Sequence, residues 1–182
     1  MRYLITYATL FTFLVTGTLF GCSSEPAKSP AVSDNIRKSL DQSGLKDVTV
    51  SQDRDKGVIT LGGHVPSGTH KSQAEMIAES FASGQVVANQ IAVIPPGVEG
   101  DAKAVNSDLD KGIEKNLDAA LIQNRLNKSV RYDVKNGVVT LTGEVNSQAT
   151  RAYAEKVAAT VANVQQVVNE LQVKNQKASS TN

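Results

Sequence analysis

Apolar residues recur along this chain with helical and strand periods, and the same pattern occurs twice. The segment GVITLGGHV at residues 57–65 returns 80 positions later as GVVTLTGEV, which begins at Gly137. The offset of 80 holds over residues 50–93, and upstream it becomes 77, where Ile36 aligns with Ile113. The second copy is therefore predicted to have about three extra residues before its first strand.

Each copy is predicted to fold in the order helix, strand, strand, helix, strand. Asn136-Gly137 favours a two-residue hairpin between the first two strands. A serine, Ser67 or Ser147, is placed to cap the second helix, and the strand after that helix completes a right-handed parallel crossover. The predicted fold class is α+β, with two tandem α-β-β-α-β units, each a three-stranded mixed sheet with two helices on one face. The first helices carry their apolar residues four apart, at Val32, Ile36 and Leu40 and at Leu109, Ile113 and Leu117.

The first 21 residues have the pattern of a secretory signal, with Arg2 followed by an apolar run to Phe20. The run ends in Leu19-Phe20-Gly21-Cys22, which resembles the lipobox of bacterial lipoproteins and predicts that Cys22 carries the lipid. A transmembrane anchor is the alternative, since the run is long enough to span a bilayer. No basic cluster follows the run, which favours the lipoprotein.

The repeats divide the remaining chain into segments. We predict a tether at residues 22–29, a first domain at 30–95, a linker at 96–105 and a second domain at 106–174. Residues 175–182 are predicted to be a polar, disordered tail. Pro95-Pro96-Gly97 favours an extended start to the linker. The first helices are predicted to begin at Ser29-Pro30 and at Asn106 or Ser107.

Charge and aromatic content argue against a nucleic-acid binder. The chain has 19 Lys and Arg against 18 Asp and Glu. Because Arg2 is the only charged residue of the signal, the mature chain is neutral and has no net basic field to attract nucleic acid. Only Phe81, Tyr132 and Tyr153 remain as stacking side chains after the signal. Cys22 is the single cysteine, which excludes internal disulfides and thiolate zinc sites.

Gly-Val-x-x-Leu-x-Gly-x-Val, followed by a helix and Val-x-Asn-x-(Ile/Leu)-x-Val, resembles the BON domain. This family is named after an osmotically induced periplasmic protein and nodulation proteins. The resemblance covers both copies and implies a non-catalytic protein that binds phospholipid membranes and supports the envelope under osmotic stress. It also implies the periplasmic side of a bacterial envelope. Ser23 instead of Asp after the lipidated cysteine favours the outer membrane.

Four residues that recur between the copies are predicted to be structural. Gly63 and Gly143 lie at inward positions of the second strands, where a Cβ is expected to clash with a helix. Asn89 and Asn169 lie at inward positions of the last strands and need hydrogen bonds when buried. His64 and His70 have no histidine counterparts in the second copy. We therefore predict no catalytic residues, no metal and no cofactor.

One cluster is a candidate for function. Arg125, Lys128 and Arg131 lie between Asp118 and Asp133 with no acidic residue among them. The cluster is predicted to contact the head groups of anionic lipids, each cation adding about 1 kcal/mol. A solvated loop is the alternative. The expected partner is membrane phospholipid. The alternative function is that of a protein-interaction module that docks an envelope complex or channel. Because each copy is small and lacks staples, mutual packing or self-association is expected.

Overall fold

A computed structural model describes residues 28–174, so Cys22, the signal and the tail lie outside the described residues. The two copies contain the same elements in the same order. The first comprises α1 (Ser33–Gln42), β1 (Val48–Asp53), β2 (Val58–Val65), α2 (Gly68–Phe81), β3 (Val86–Asn89) and β4 (Ala92–Val93). The second comprises α3 (Glu99–Gln123), β5 (Val130–Lys135), β6 (Val138–Val145), α4 (Gln148–Ala159), β7 (Gln166–Asn169) and β8 (Gln172–Val173).

The central strand of each sheet pairs antiparallel on one side and parallel on the other. In the first copy β2 is antiparallel to β1 and parallel to β3 and β4, and the second copy has the same topology. This confirms the predicted α+β fold. The third strand is split into two short segments, and between them the Asn89 side chain accepts a hydrogen bond from the N–H of Ile91 (3.4 Å).

Each core lies between the sheet and its two helices. Ile36 and Leu40 of α1, Ile59 and Leu61 of β2 and Ala78 of α2 are fully buried in the first copy. The predicted caps hold as well, because the hydroxyls of Ser67 and Ser147 accept hydrogen bonds from the N–H groups of the third residue beyond. The inward stripes of strand and helix therefore meet as their periods require.

The first helices of the two copies align differently from the prediction. Leu40 and Leu121 occupy the same place, since each carbonyl accepts a 2.9 Å bond from the N–H of the fifth residue after it, Leu45 and Leu126 respectively. The true offset is thus 81 in place of 77, a shift of about one helical turn. One consequence is that Leu109, predicted to be in the core, is 46% exposed.

Both predicted helix starts are wrong. The helix α1 begins at Ser33, where the side chain of Gln52 accepts from the N–H groups of Val32 (3.1 Å) and Ser33 (3.4 Å) in place of a local cap. The helix α3 begins at Glu99, so most of the predicted linker at 96–105 is helical. Acidic residues in the first turn, among them Glu99, favour this earlier start because they face the positive end of the helix dipole.

The two copies pack against each other. Val58, Ala88, Val138 and Val168 form one buried cluster from the sheet faces that point away from the helices. The amide of Gln166 bonds to the free edge of β3, donating to the carbonyl of Val87 (2.7 Å) and accepting from the N–H of Asn89 (3.0 Å). This agrees with the expectation of mutual packing between small copies.

Within residues 28–174, no helix combines the length and apolar character required to cross a lipid bilayer.

Candidate functional site: a cationic corner of the second copy

Arg125 terminates α3 in a backbone conformation that favours glycine. Its φ is +58°, and its N–H donates to the carbonyl of Ile122 (3.0 Å). In the first copy the same place is taken by Gly44, with φ +78° and a matching bond to the carbonyl of Asp41 (3.2 Å). Left-handed backbone costs a residue with a Cβ about 1–2 kcal/mol. The second copy thus carries an exposed arginine where glycine would be more stable.

Two exposed apolar side chains lie near the same end of α3. Ile122 is 52% exposed and Tyr153, from α4, is 48% exposed. The phenol of Tyr153 donates to the side-chain oxygen of Asn124, which holds the ring beside the end of α3. We call Ile122, Arg125, Lys128 and Tyr153 the cationic corner. A cation beside apolar and amphipathic side chains suits a membrane–water interface.

The three predicted head-group contacts do not share one loop. Arg125 follows the C-cap residue of α3, Lys128 lies in the connection to β5, and Arg131 belongs to β5 itself. Arg131 is exposed on the sheet face opposite the helices, where it pairs with Thr142 of β6. All three side chains are exposed, and no ion pair within the described chain involves any of them.

The predicted three-residue insertion is also wrong. The connection between the first helix and first strand spans residues 43–47 in the first copy and 124–129 in the second, a difference of one residue. The hairpin compensates, since residues 54–57 join β1 to β2 and only Asn136-Gly137 join β5 to β6. Arg125 and Arg131 therefore stand where the first copy has Gly44 and Thr49, whereas Lys128, next to Ser129, corresponds to Lys46, next to Asp47.

The first copy lacks three of the four side chains of the cationic corner. By structural equivalence Asp41 takes the place of Ile122, Gly44 that of Arg125, and Gln73 that of Tyr153. Sequence reasoning missed Ile122 because the offset of 77 aligned it with Leu45, a buried residue. An alignment anchored on the helix ends would have revealed it as an apolar residue in place of an acidic one.

The recurrent glycines contact a different neighbour from the one predicted. Gly63 has φ +83°, and a Cβ there would overlap the carbonyl oxygen of Asp47, just before β1. Gly143 has φ +118°, and its Cβ would meet the carbonyl oxygen of Ser129. The steric restriction comes from the backbone beside the neighbouring strand, whereas a helix was expected.

The recurrent asparagines tie the end of the third strand to the second helix. Asn89, 4% exposed, donates to the carbonyl of Lys71 (3.4 Å) and to the carboxylate of Glu75 (3.1 Å). Asn169, less buried, repeats this arrangement with the carbonyl of Arg151 (3.1 Å) and the carboxylate of Glu155 (2.9 Å). The bonds satisfy both amides within each copy, which indicates a structural part for them.

A cleft of about 620 Å³ separates α2 from the first half of α3. Burial lowers the pKa of Lys71 there, opposed by the nearby carboxylates of Glu75 and Asp110. Both oxygens of Asp110 already accept from the N–H groups of Asn136 (2.8 Å) and Gly137 (2.9 Å). The cleft thus holds polar groups that mainly bond to the protein itself.

Across residues 28–174, no group of three or more His, Cys, Asp and Glu side chains could hold a metal ion.

The repeated α-β-β-α-β unit defines an α+β protein of two tandem domains. The model of the BON domain family matches residues 30–95 and 109–175. The chain therefore belongs to the BON domain family, which confirms the resemblance seen in both copies.

Comparison with individual proteins adds one relative and two structures. The chain is 29% identical over 147 residues to osmotically-inducible protein Y of Escherichia coli (strain K12), covering 79% of this chain and 72% of that protein. Two structures of CdsD, a structural protein of the type III secretion system of Chlamydia trachomatis, align at 15% and 14% identity with TM-scores of 0.35. They cover 77% and 82% of this chain, and 90% and 100% of those chains. A TM-score of 0.35 is too low to support an argument from either structure.

Proposed function

We propose that the protein is a non-catalytic lipoprotein on the periplasmic side of the envelope, where its second copy binds anionic phospholipid surfaces. The observation that carries this proposal is the exposed arginine in left-handed backbone, Arg125, beside Ile122 and Tyr153. The 29% sequence identity to an osmotically-inducible protein supports a role in osmotic stress tolerance. Lipidation at Cys22 in the outer membrane would hold the protein near its ligand.

The chemistry of the corner matches an anionic interface in two ways. Arg125 and Lys128 supply charge, and each cation near such a surface contributes about 1 kcal/mol. Ile122 and Tyr153 supply apolar area that can enter the head-group region, at about 25 cal/mol per Å² buried. The neutral net charge of the mature chain leaves such local clusters as the source of attraction.

Vesicle binding tests the corner directly. Residues 23–182 should co-sediment with vesicles containing phosphatidylglycerol and not with neutral vesicles, and binding should weaken as salt shortens the Debye length to about 3 Å at 1 M. The variant Arg125→Gly should bind several-fold more weakly although it relieves the left-handed backbone. Lys128→Ser and Ile122→Ser, each made alone, should also weaken binding to these vesicles.

The first copy supplies the matched control for this experiment. Lys38→Ser removes one exposed positive charge from α1, so it changes net charge as Arg125→Gly does without touching the corner. Its binding should equal that of the unchanged chain. Equal losses from Lys38→Ser and Arg125→Gly would show that only net charge matters, and the corner would then not be the contact.

Lipidation is tested by metabolic labelling. Cells given an acyl-chain analogue should incorporate the label into the full chain, because Cys22 supplies the sulfur that accepts the diacylglyceryl group. The Cys22→Ser chain should remain unlabelled and should leave the membrane fraction, since several acyl chains at about 0.8 kcal/mol per CH₂ hold the protein there. Labelling of the Cys22→Ser chain to the same level would contradict the anchor.

The second candidate function is a protein-interaction module for an envelope complex or channel. The first half of α3 favours it, because Val105 is 57% exposed and Leu109 46% exposed on that helix. Exposed apolar residues at helical spacing are typical of helix-mediated contacts. If vesicles bind neither the unchanged chain nor its variants at low salt, this candidate replaces the first.

A further inference from the structure

Two sets of contacts between the copies are reciprocal, although the bonds from Gln166 to β3 have no counterpart at Val86. Lys56 Nζ of the first copy lies 2.7 Å from Glu170 Oε2 of the second. The residues 80 positions removed from these two, Asn136 and Gln90, are also in contact, since Asn136 Nδ2 donates to the carbonyl of Gln90 at 2.8 Å. The same face of each copy therefore meets the other with the contacts exchanged.

The buried cluster between the sheets has the same symmetry. Val58 and Ala88 come from the first copy, and their equivalents 80 positions on, Val138 and Val168, complete the cluster. An interface in which equivalent positions contact each other reciprocally is isologous, the kind that closes two-fold dimers. The two copies of this chain are therefore related as the subunits of such a dimer would be.

Only a short hinge joins these two halves. Ile94 still belongs to the first copy through a 2.8 Å bond to the carbonyl of Val65, and α3 begins at Glu99. The turn between them is closed by a bond from the N–H of Val98 to the carbonyl of Pro95 (3.4 Å) and by one from the N–H of Gly97 to the carboxylate of Glu99 (2.8 Å). Opening the hinge to an extended chain loses the bond at Val98, and the contacts between the copies are replaced when a second chain supplies the opposite copy.

We propose that the face formed by Lys56, Val58, Ala88 and Gln90 recognises a second chain of this protein, so that two chains associate by exchanging copies. The first copy of each chain then contacts the second copy of its partner. Every contact that closes the monomer recurs twice in the dimer, and Pro95-Pro96 spans the opened hinge. The dimer competes with closure within one chain, which a short linker favours through a high effective concentration.

Charge selects the pairing of unlike copies. Glu170 is well buried, with 11% of its side chain exposed, and its bond to the Lys56 ammonium raises the pKa of that lysine. Two second copies would place Glu170 against Asn136 and leave the carboxylate without its cation. Removing one partner of a buried charge pair is destabilising. The favoured dimer therefore pairs first copy with second, which requires exchange.

Charge reversal distinguishes exchange from closure within one chain. Lys56→Glu and Glu170→Lys are made separately in the full chain, purified in mild detergent, with an affinity tag on the Lys56→Glu chain only. Closed monomers of either variant contain two like charges at this contact. An exchanged dimer of one chain of each variant contains an opposite-charge pair at both of its interfaces. The two chains are unfolded together in urea, refolded, and passed over the affinity resin.

We expect the Lys56→Glu chain to retain the Glu170→Lys chain in a 1:1 complex of twice the monomer mass, at least about tenfold above a mixture of tagged and untagged unchanged chains. The matched control carries both substitutions in one chain, which restores the pair in the monomer and should return retention to the unchanged level. If either single variant does not fold alone, mixing should restore its circular dichroism. A mixture in which no complex of the two variants forms, whether the chains are folded or not, would overturn the proposal.

Discussion

Gly63→Ala should destabilise the first copy by about 3–5 kcal/mol. The substitution has two costs, a left-handed backbone with a side chain, at about 1–3 kcal/mol, and a Cβ that overlaps the carbonyl oxygen of Asp47, at a further 1–3 kcal/mol or so. The carbonyl precedes a paired strand, so it cannot move without disturbing the β1–β2 ladder. Urea denaturation followed by circular dichroism should show the first copy unfolding at a much lower concentration.

Two neighbouring glycines separate the two costs. Gly44→Ala meets no atom within 4 Å at φ +78°, so it should show only the backbone cost of about 1–2 kcal/mol. Gly62→Ala would meet the Thr49 hydroxyl, a side chain that can rotate away, and the second copy carries Thr142 at this position. Its effect should be within about 1 kcal/mol. If Gly63→Ala lowered the free energy of unfolding no more than Gly44→Ala does, the overlap with Asp47 would be relieved in solution.

The parts of this protein that the sequence predicts are those specified by local patterns. Strand alternation, the Asn136-Gly137 turn and the serine caps each depend on a few adjacent residues, and all form as predicted. The inward positions predicted for Gly63 and Gly143 were wrong as to burial, since Gly63 is exposed and Gly143 only partly buried, and the contact that restricts them was not evident either. That contact lies across the sheet, about 15 residues away in sequence, where the pattern of a single strand carries no information.

The helix starts and the cationic corner depend on contacts that a local pattern does not contain. The cap of α1 is Gln52, a side chain 20 residues away from Val32. Arg125 has the same left-handed backbone conformation as Gly44, and no pattern of adjacent residues indicates this. A helix repeats its apolar face every three to four residues, so a shift of one turn preserves the pattern and conceals an error in alignment. The sequence-based offset of 77 made this error.

That shift of one turn yields the second large prediction. Leu121 is 1% exposed and lies in the core of the second copy, while Leu109, three turns earlier on α3, is 46% exposed. Truncating a buried leucine removes its transfer free energy and leaves a cavity, so Leu121→Ala should cost about 2–5 kcal/mol. Leu109→Ala should stay within about 0.5 kcal/mol. Both substitutions replace leucine by alanine in the same helix, so the change in helix propensity is equal. The difference between their effects on stability therefore reports burial alone. Thermal unfolding of residues 23–182 should therefore show a large loss for Leu121→Ala and almost none for Leu109→Ala. The reverse order would restore the offset of 77 and make Leu109 the core residue.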